Sequence, residues 1–216
     1  MALIHRAELR PTKLELLEGW LPGRPWCPGG EATPPALQKV GAARFDDPAG
    51  EVGIEVLLVR HGGDGPLLHV PLTYRATPLP GAADALLATM EHSVLGTRYV
   101  YDACADPVYV AALVTAVLTG GRQADEVVEG DPGPRRPDVL LTGSGTPGTP
   151  VPALDALDAL DAARDGDPAV LTAGGLVVEV LRVVGADRVP AAGGAALHAT
   201  WPGHPDPVLL AVVRPR

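Results

Sequence analysis

Between Val52 and Leu58 the apolar side chains alternate. Val52, Ile54, Val56 and Leu58 fall on one face and Glu55 on the other, the period-two signature of a β-strand. Leu68, Val70, Leu72 and Tyr74 repeat the pattern. Leu37 to Phe45 precedes both as a further strand, closed by the turn residues Asp46-Asp47-Pro48-Ala49-Gly50. Three strands joined by short loops predict an antiparallel meander, and Pro71 predicts an edge position or a bulge for its strand. Tyr99, Tyr101 and Ala103 alternate with Arg98, Val100 and Asp102 as a central strand. It feeds the uncharged run Val108–Leu118. Asp106 stands at the N-cap of that run, Pro107 at its first helical position and Gly120-Gly121 at its stop. A helix apolar nearly all round is a buried one. Thr12 and Glu15 form a capping box ahead of Leu14, Leu17 and Leu21 at helical spacing, and Pro22-Gly23 ends that helix. Gly81–Met90 reads as a short helix that delivers Glu91 and His92 to the mouth of the central strand.

Beyond Gly121 the pattern breaks. Acidic residues Glu126, Glu129 and Asp131 precede a Pro/Gly/Arg-rich stretch, and Gly143-Ser144-Gly145-Thr146-Pro147-Gly148 is formally G-x-G-x-x-G. A phosphate loop must open a helix, and Pro147, Pro150 and Pro152 crowd the place where that helix would start, so the segment reads as linker. The Ala-Leu-Asp repeat over 153–164 reads as a short amphipathic helix or an acidic connector. It lacks the alternating ligands, the central Gly and the final Glu of a calcium loop. Ala169–Thr172 with Leu176–Val184, and Ala195–Trp201 with Val208–Arg214, read as two hairpins. The expected division is 1–125 as one domain, 126–167 as linker and 168–216 as a β-rich C-terminal segment. Strands grouped with few helices predict α+β: a curved antiparallel sheet with the helices Thr12–Leu21 and Asp106–Thr119 against it.

Composition narrows the function classes. The net charge of −9, with no basic run to offset it, argues against nucleic acid. Two cysteines, Cys27 and Cys104, make no disulfide framework and are expected reduced. The run at 107–119 is too short to span a bilayer, and no leader pattern opens the chain. A cytoplasmic protein without a membrane contact is the expectation. Low aromatic content, 4% with Phe45 the lone Phe, leaves the core to Val, Leu and Ala.

Candidate chemistry is sparse. Glu91 and His92, with Tyr74, Arg75 and Asp102, form the polar constellation to watch. An acid–imidazole pair can serve as base and orienter or ligate a metal, or it can cap backbone groups at the strand entry. No spacing supplies a third metal ligand, so no metal and no cofactor are expected. Trp26, in the loop from Pro25 to Pro35, is either a sugar-stacking platform or an anchor tucked on the core. His61-Gly62-Gly63-Asp64 reads as a solvated hairpin turn. The chain has no Asn to hold a second magnesium and no Lys after Lys39, so the parts of a phosphoryl-transfer site are not assembled.

His92-Ser93-Val94-Leu95-Gly96, followed by the segment from Tyr99 to Leu113, resembles the N-terminal cap subdomain of actinobacterial maltokinases, and more closely the stand-alone cap-like proteins. Pro11–Pro22 and Val70–Arg75 fit the same pattern, so the resemblance covers about the first 120 residues. It implies a cystatin-like cap fold for 1–125. It implies a non-catalytic accessory or regulatory protein of trehalose, maltose and glycogen metabolism, whose partner is a sugar kinase or a glycan-metabolising enzyme. A carbohydrate-binding module for maltose, trehalose or glucan is the second reading, and a sugar kinase or glucan-active enzyme the third. A small sugar ligand and a homodimer are further expectations. The C-terminal segment is either a remnant of the sheet that follows the cap in a maltokinase or an unrelated β extension.

Overall fold

A computed structural model describes residues 2–27, 36–63, 65–153, 161–163, 165–185 and 193–216. In chain order the first part runs β1 (Ala2–Ile4), β2 (Leu9–Arg10), α1 (Lys13–Trp20), β3 (Leu37–Phe45), β4 (Gly53–His61), β5 (Leu67–Arg75), β6 (Leu86–His92), β7 (Gly96–Asp102) and α2 (Pro107–Thr119). The second part runs β8 (Glu126–Val128), β9 (Pro134–Arg135), β10 (Leu140–Gly143), β11 (Asp161–Ala163), β12 (Ala169–Ala173), β13 (Leu176–Val180), β14 (Val183–Val184), β15 (Ala195–Trp201) and β16 (His204–Pro215).

Strands β2, β6, β7, β5, β4 and β3 lie side by side in that order, with β14 as a seventh member beside β5. Every ladder in this sheet is antiparallel. The alternation read from the sequence sets what each face meets. Ile54, Val56 and Leu58 of β4 join Tyr109, Val110, Leu113, Val114 and Val117 of α2 in one core. Leu57 and Val59 join Leu16 and Leu17 of α1, with Trp26, in the other. The sheet therefore has a helix on each face. Helix α2 is sandwiched, because the same core continues into Leu171, Val178, Val180, Leu197 and Leu210 of a second sheet. That sheet is six-stranded, in the order β10-β15-β16-β13-β12-β11.

The caps stand where the sequence puts them. Thr12 and Glu15 exchange both bonds of the capping box at α1. The Asp106 side chain accepts from the Val108 N–H at 3.0 Å, and Gly120 ends α2 with φ +68°, a conformation that favours glycine. Both predicted C-terminal hairpins form, the first with its return strand ending at Val180 and not at the expected Val184.

Two segments differ from expectation. Residues 86–90, the second half of the helix expected over Gly81–Met90, form β6 together with Glu91 and His92. Leu86, Ala88 and Met90 pair with β7, and tertiary pairing overrides the local helix propensity of an alanine- and leucine-rich stretch. Residues 126–167, expected as linker, carry β8, β9, β10 and β11. These strands are two to four residues long; β8 and β10 pair with distant partners, β1 and β15, while β9 pairs β8 and β11 pairs β12, its neighbours in the chain. No local alternation announces such strands. Asp64 and residues 154–160 of the Ala-Leu-Asp run lie outside the described residues, as do 28–35 of the Trp26 loop.

The formal G-x-G-x-x-G has a packing role. The N–H groups of Gly145 and Thr146 donate to the Val117 and Leu118 carbonyls at 2.9 and 3.0 Å. They serve the C-terminal pole of α2, opposite in sign to a phosphate-binding helix start. A Cβ on Gly145 would stand 2.0 Å from the Leu118 carbonyl oxygen, so only glycine lets the loop come this close.

One short segment joins the two large sheets. The Leu181 N–H donates to the Leu210 carbonyl in the second sheet at 2.9 Å. One residue later the Arg182 carbonyl accepts from the His69 N–H in the first at 2.8 Å. Val183 and Val184 then pair with Leu68 and Leu67, the stretch of β5 that β7 leaves bare.

Candidate functional site

Helix α1 is eight residues long, roughly 12 Å. The nine-residue strand β4 beneath it runs for roughly 30 Å. The helix therefore covers only part of its face, and beyond its first turn the sheet opens into a groove of about 590 Å³. Strand β1 and the β6–β7 hairpin lie along it.

Its floor is a buried ionic cluster on adjacent strands. Glu55 of β4 is 3% exposed. It accepts from the Lys13 Nζ at 2.7 Å and from the Tyr74 hydroxyl at 2.6 Å, while an Arg44 guanidinium nitrogen stands 4.0 Å away. Burial alone would raise the Glu55 pKa, but the Lys13 and Arg44 charges and the two hydrogen bonds outweigh it and bring the group down to about 2. Burial pushes Lys13 below its usual range against the pull of Glu55. Burial and the Glu55 charge together push Tyr74 upward, so it stays a phenol that donates. Neither Lys13 nor Glu55 entered the predicted constellation, because their partners lie 42 and 19 residues apart in sequence. The available signal was an acid in the middle of an apolar strand, since a charge is almost never fully buried unless paired.

The predicted site residues are dispersed. Tyr74 and His92 line the groove. His92 braces the hairpin turn: its Nδ1 accepts from the Val94 and Leu95 N–H groups at 3.3 and 3.1 Å. Glu91 accepts from the Thr97 hydroxyl at 2.7 Å on the same hairpin. Arg75 faces the opposite side of the sheet, where it binds the Asp106 carboxylate with two hydrogen bonds of 2.7 Å. Asp102, at the end of β7 and paired with Leu72, accepts from the fully buried Arg182 at 2.5 Å, away from the groove. Trp26 is 8% exposed, in edge contact with Trp20 and under the Arg182 guanidinium. It is therefore a core anchor and not a surface platform.

The rim of the groove is unusual in another way. Among the described residues the exposed large hydrophobics are Leu3 at 57%, Val94 at 52% and Leu95 at 43%. Leu3 and Leu95 line the groove and Val94 adjoins Leu95 in the hairpin turn. Apolar side chains gathered at the mouth of a polar cleft mark an interaction site more often than chance exposure does.

Residues 20–106 match the family described as the maltokinase N-terminal cap domain. The match spans β3 to β7 and ends at the N-cap of α2, so it takes in Arg44, Glu55, Tyr74, His92 and Arg98 and leaves Leu3, His5 and Lys13 outside. A search of curated proteins gives no match to the chain.

Proposed function

We propose that this chain is a non-catalytic, cap-like accessory or regulatory protein of maltose, trehalose and glycogen metabolism, acting in the cytoplasm by contact with a sugar kinase or another glycan-metabolising enzyme. The observation that carries this reading is the agreement of 20–106 with a domain that serves a maltokinase as its cap. The division into a cap of 1–125 and a C-terminal β segment of 168–216 belongs to the same proposal. The exposed rim of Leu3, Val94 and Leu95 supplies the contact: these side chains gain by leaving water, about 25 cal/mol per Å² covered. The opposite face of the sheet offers no such surface, because α2 and the second sheet occupy it in the same chain.

The tryptophans favour partner contact over a carbohydrate-binding module. Trp26 is buried, the Arg24 guanidinium lies 4.9 Å over the Trp20 ring, and Trp201 is stacked on His204 at 4.5 Å. The test is affinity capture from the source organism's lysate with the wild-type chain and with Leu3→Asp/Leu95→Asp. The wild type is expected to retain a sugar kinase or glycan enzyme identified by mass spectrometry, and the variant to lose it. Recovery of no such enzyme by the wild type sinks the reading.

A further inference from the structure

The turn that carries part of the exposed rim is held by a group that titrates. Strand β6 ends at His92 and β7 begins at Gly96, so Ser93, Val94 and Leu95 make the connection. The His92 Nδ1 accepts from the Val94 and Leu95 N–H groups at 3.3 and 3.1 Å. An imidazole nitrogen accepts only while it carries no hydrogen. Both bonds therefore require neutral His92 with its hydrogen on Nε2. A proton on Nδ1 sets a donor against two donors. The other ties of the turn lie at its two ends. The Ser93 N–H donates to the Glu8 carbonyl and the Glu8 N–H to the Ser93 hydroxyl, both at 3.0 Å. Arg98 donates to the Leu95 carbonyl at 2.6 Å. None of these replaces the acceptor that the Val94 and Leu95 N–H groups lose.

The surroundings of His92 oppose that proton. The His5 ring, just past β1, stands edge-on to it with 5.9 Å between centroids. Arg98 of β7 and Lys13 of α1 bring two cations, and β2 sets the apolar Leu9 opposite. Carboxylates on the adjoining elements are committed elsewhere. Glu91 accepts from the Thr97 hydroxyl, Glu8 from Arg10, and Glu55 from Lys13 and Tyr74, while Glu129 stands 2.9 Å from the His5 Nδ1. Partial burial and the His5, Arg98 and Lys13 charges hold the His92 pKa below 6.5. The open turn therefore binds a proton that the closed turn refuses. The closed form keeps its full advantage above pH 6.5 and loses it as the pH falls below that value.

We infer that His92 is a pH-sensitive clasp on the rim of the groove: neutral, it fixes the turn that presents Val94 and Leu95, and protonated, it lets that turn go. Acid then breaks up the apolar surface without unfolding the sheet beneath it. As a control on partner contact the clasp rests on the function proposed above. As a property of the turn it needs no partner, so a measurement on the purified chain and a lysate capture can fail separately.

NMR on the purified chain between pH 7.5 and pH 5 tests it. Ring-nitrogen spectra at pH 7.5 are expected to show the His92 hydrogen on Nε2. As His92 titrates, with a midpoint below 6.5, the amide protection factors of Val94 and Leu95 are expected to fall about tenfold, the loss of one hydrogen bond each. Those of Ser93 and of α2 are expected to hold. His92→Asn, whose side-chain oxygen accepts from the N–H two residues on and does not titrate, is expected to keep the Val94 amide protected throughout. A hydrogen on Nδ1 at pH 7.5 overturns the clasp. So does equal protection of Val94 and Leu95 at both ends of the range, a fall shared with α2, or a fall that persists in His92→Asn. The wild-type spectra carry the test alone if His92→Asn does not fold. A lysate capture that recovers no enzyme, with the turn titrating as expected, sinks the partner reading and leaves the clasp standing.

Discussion

On one face of the seven-stranded sheet, Ile54, Val56 and Leu58 meet a 13-residue helix and, beyond it, a second sheet. On the other, Leu57 and Val59 meet an eight-residue helix that stops short of Glu55 and Tyr74. Polar groups follow that difference. Where the cover is complete, the Arg75 guanidinium is held against the fully buried Asp106 carboxylate. Where the cover is short, the charged groups line a groove, with donors left over. The closed face holds the chain together, and the open face is where the protein can meet something else.

The largest effect is expected where burial is deepest, at the Asp102–Arg182 pair beneath the covered end of the sheet. Asp102→Asn keeps an acceptor for the Cys104 N–H but removes the carboxylate charge that the buried Arg182 binds, at a cost of about 3–5 kcal/mol. Urea unfolding at pH 7 measures it. The double variant Asp102→Leu/Arg182→Met, which removes both charges, is expected to recover much of that loss; if it is no more stable than Asp102→Asn, the pair is not what fails.

Acid separates the two faces next. His69 is fully buried on the closed face. Its Nδ1–H donates to the Leu181 carbonyl at 2.9 Å, and burial holds its pKa down at about 3. The folded pKa lies below the unfolded value of 6.5, so the unfolded chain binds a proton that the folded chain refuses. The His69 contribution is full above pH 6.5 and is lost as the pH falls toward 3, by about 1.4 kcal/mol per pH unit. Glu55, depressed from 4.5 to about 2, contributes fully above pH 4.5 and loses that contribution as the pH falls through 2. Unfolding free energies between pH 7 and 4.5 should therefore lose most of their slope in His69→Gln, the remainder coming from His92 and His198, whose pKa values burial also lowers, and keep it in Glu55→Gln. The reverse result would assign the acid response to the groove.

The smallest effect concerns the short helix itself. Thr12→Ala removes the bonds of the Thr12 hydroxyl with the Glu15 N–H and carboxylate, leaves the Thr12 N–H bond to Glu15, and is expected to cost about 1 kcal/mol. It frays α1 beside Lys13. A change in hydrogen exchange confined to α1 and Glu55, with α2 unaffected, would show that the two coverings respond independently.

Much of the framework could be read in advance from the residues. Alternation in β4 and β5, the Asp106-Pro107 start and Gly120 stop of α2, the Thr12–Glu15 box and the two C-terminal hairpins all carry local signals. Strand β6 could not be read, because its Ala- and Leu-rich stretch takes its conformation from pairing with β7. The strands between 126 and 167 were hidden for the same reason. The site was less legible than the fold. Tyr74 and His92 do reach the groove, but Lys13, Arg44, Glu55 and Arg98 come together only through sheet register and the placement of α1. Arg182, which holds Asp102, comes from a segment 80 residues further on, and nothing in its neighbourhood marks it as a core residue.

The crossing at Leu181–Val184 bears on how the protein is made. The bare half of β5 and the carboxylate of Asp102 emerge early from the ribosome, while the strand and the guanidinium that complete them follow more than a hundred residues of synthesis after β5. The first sheet therefore waits, with an open hydrogen-bonding edge, until the late residues arrive. During that interval the nascent chain is a natural client for a chaperone.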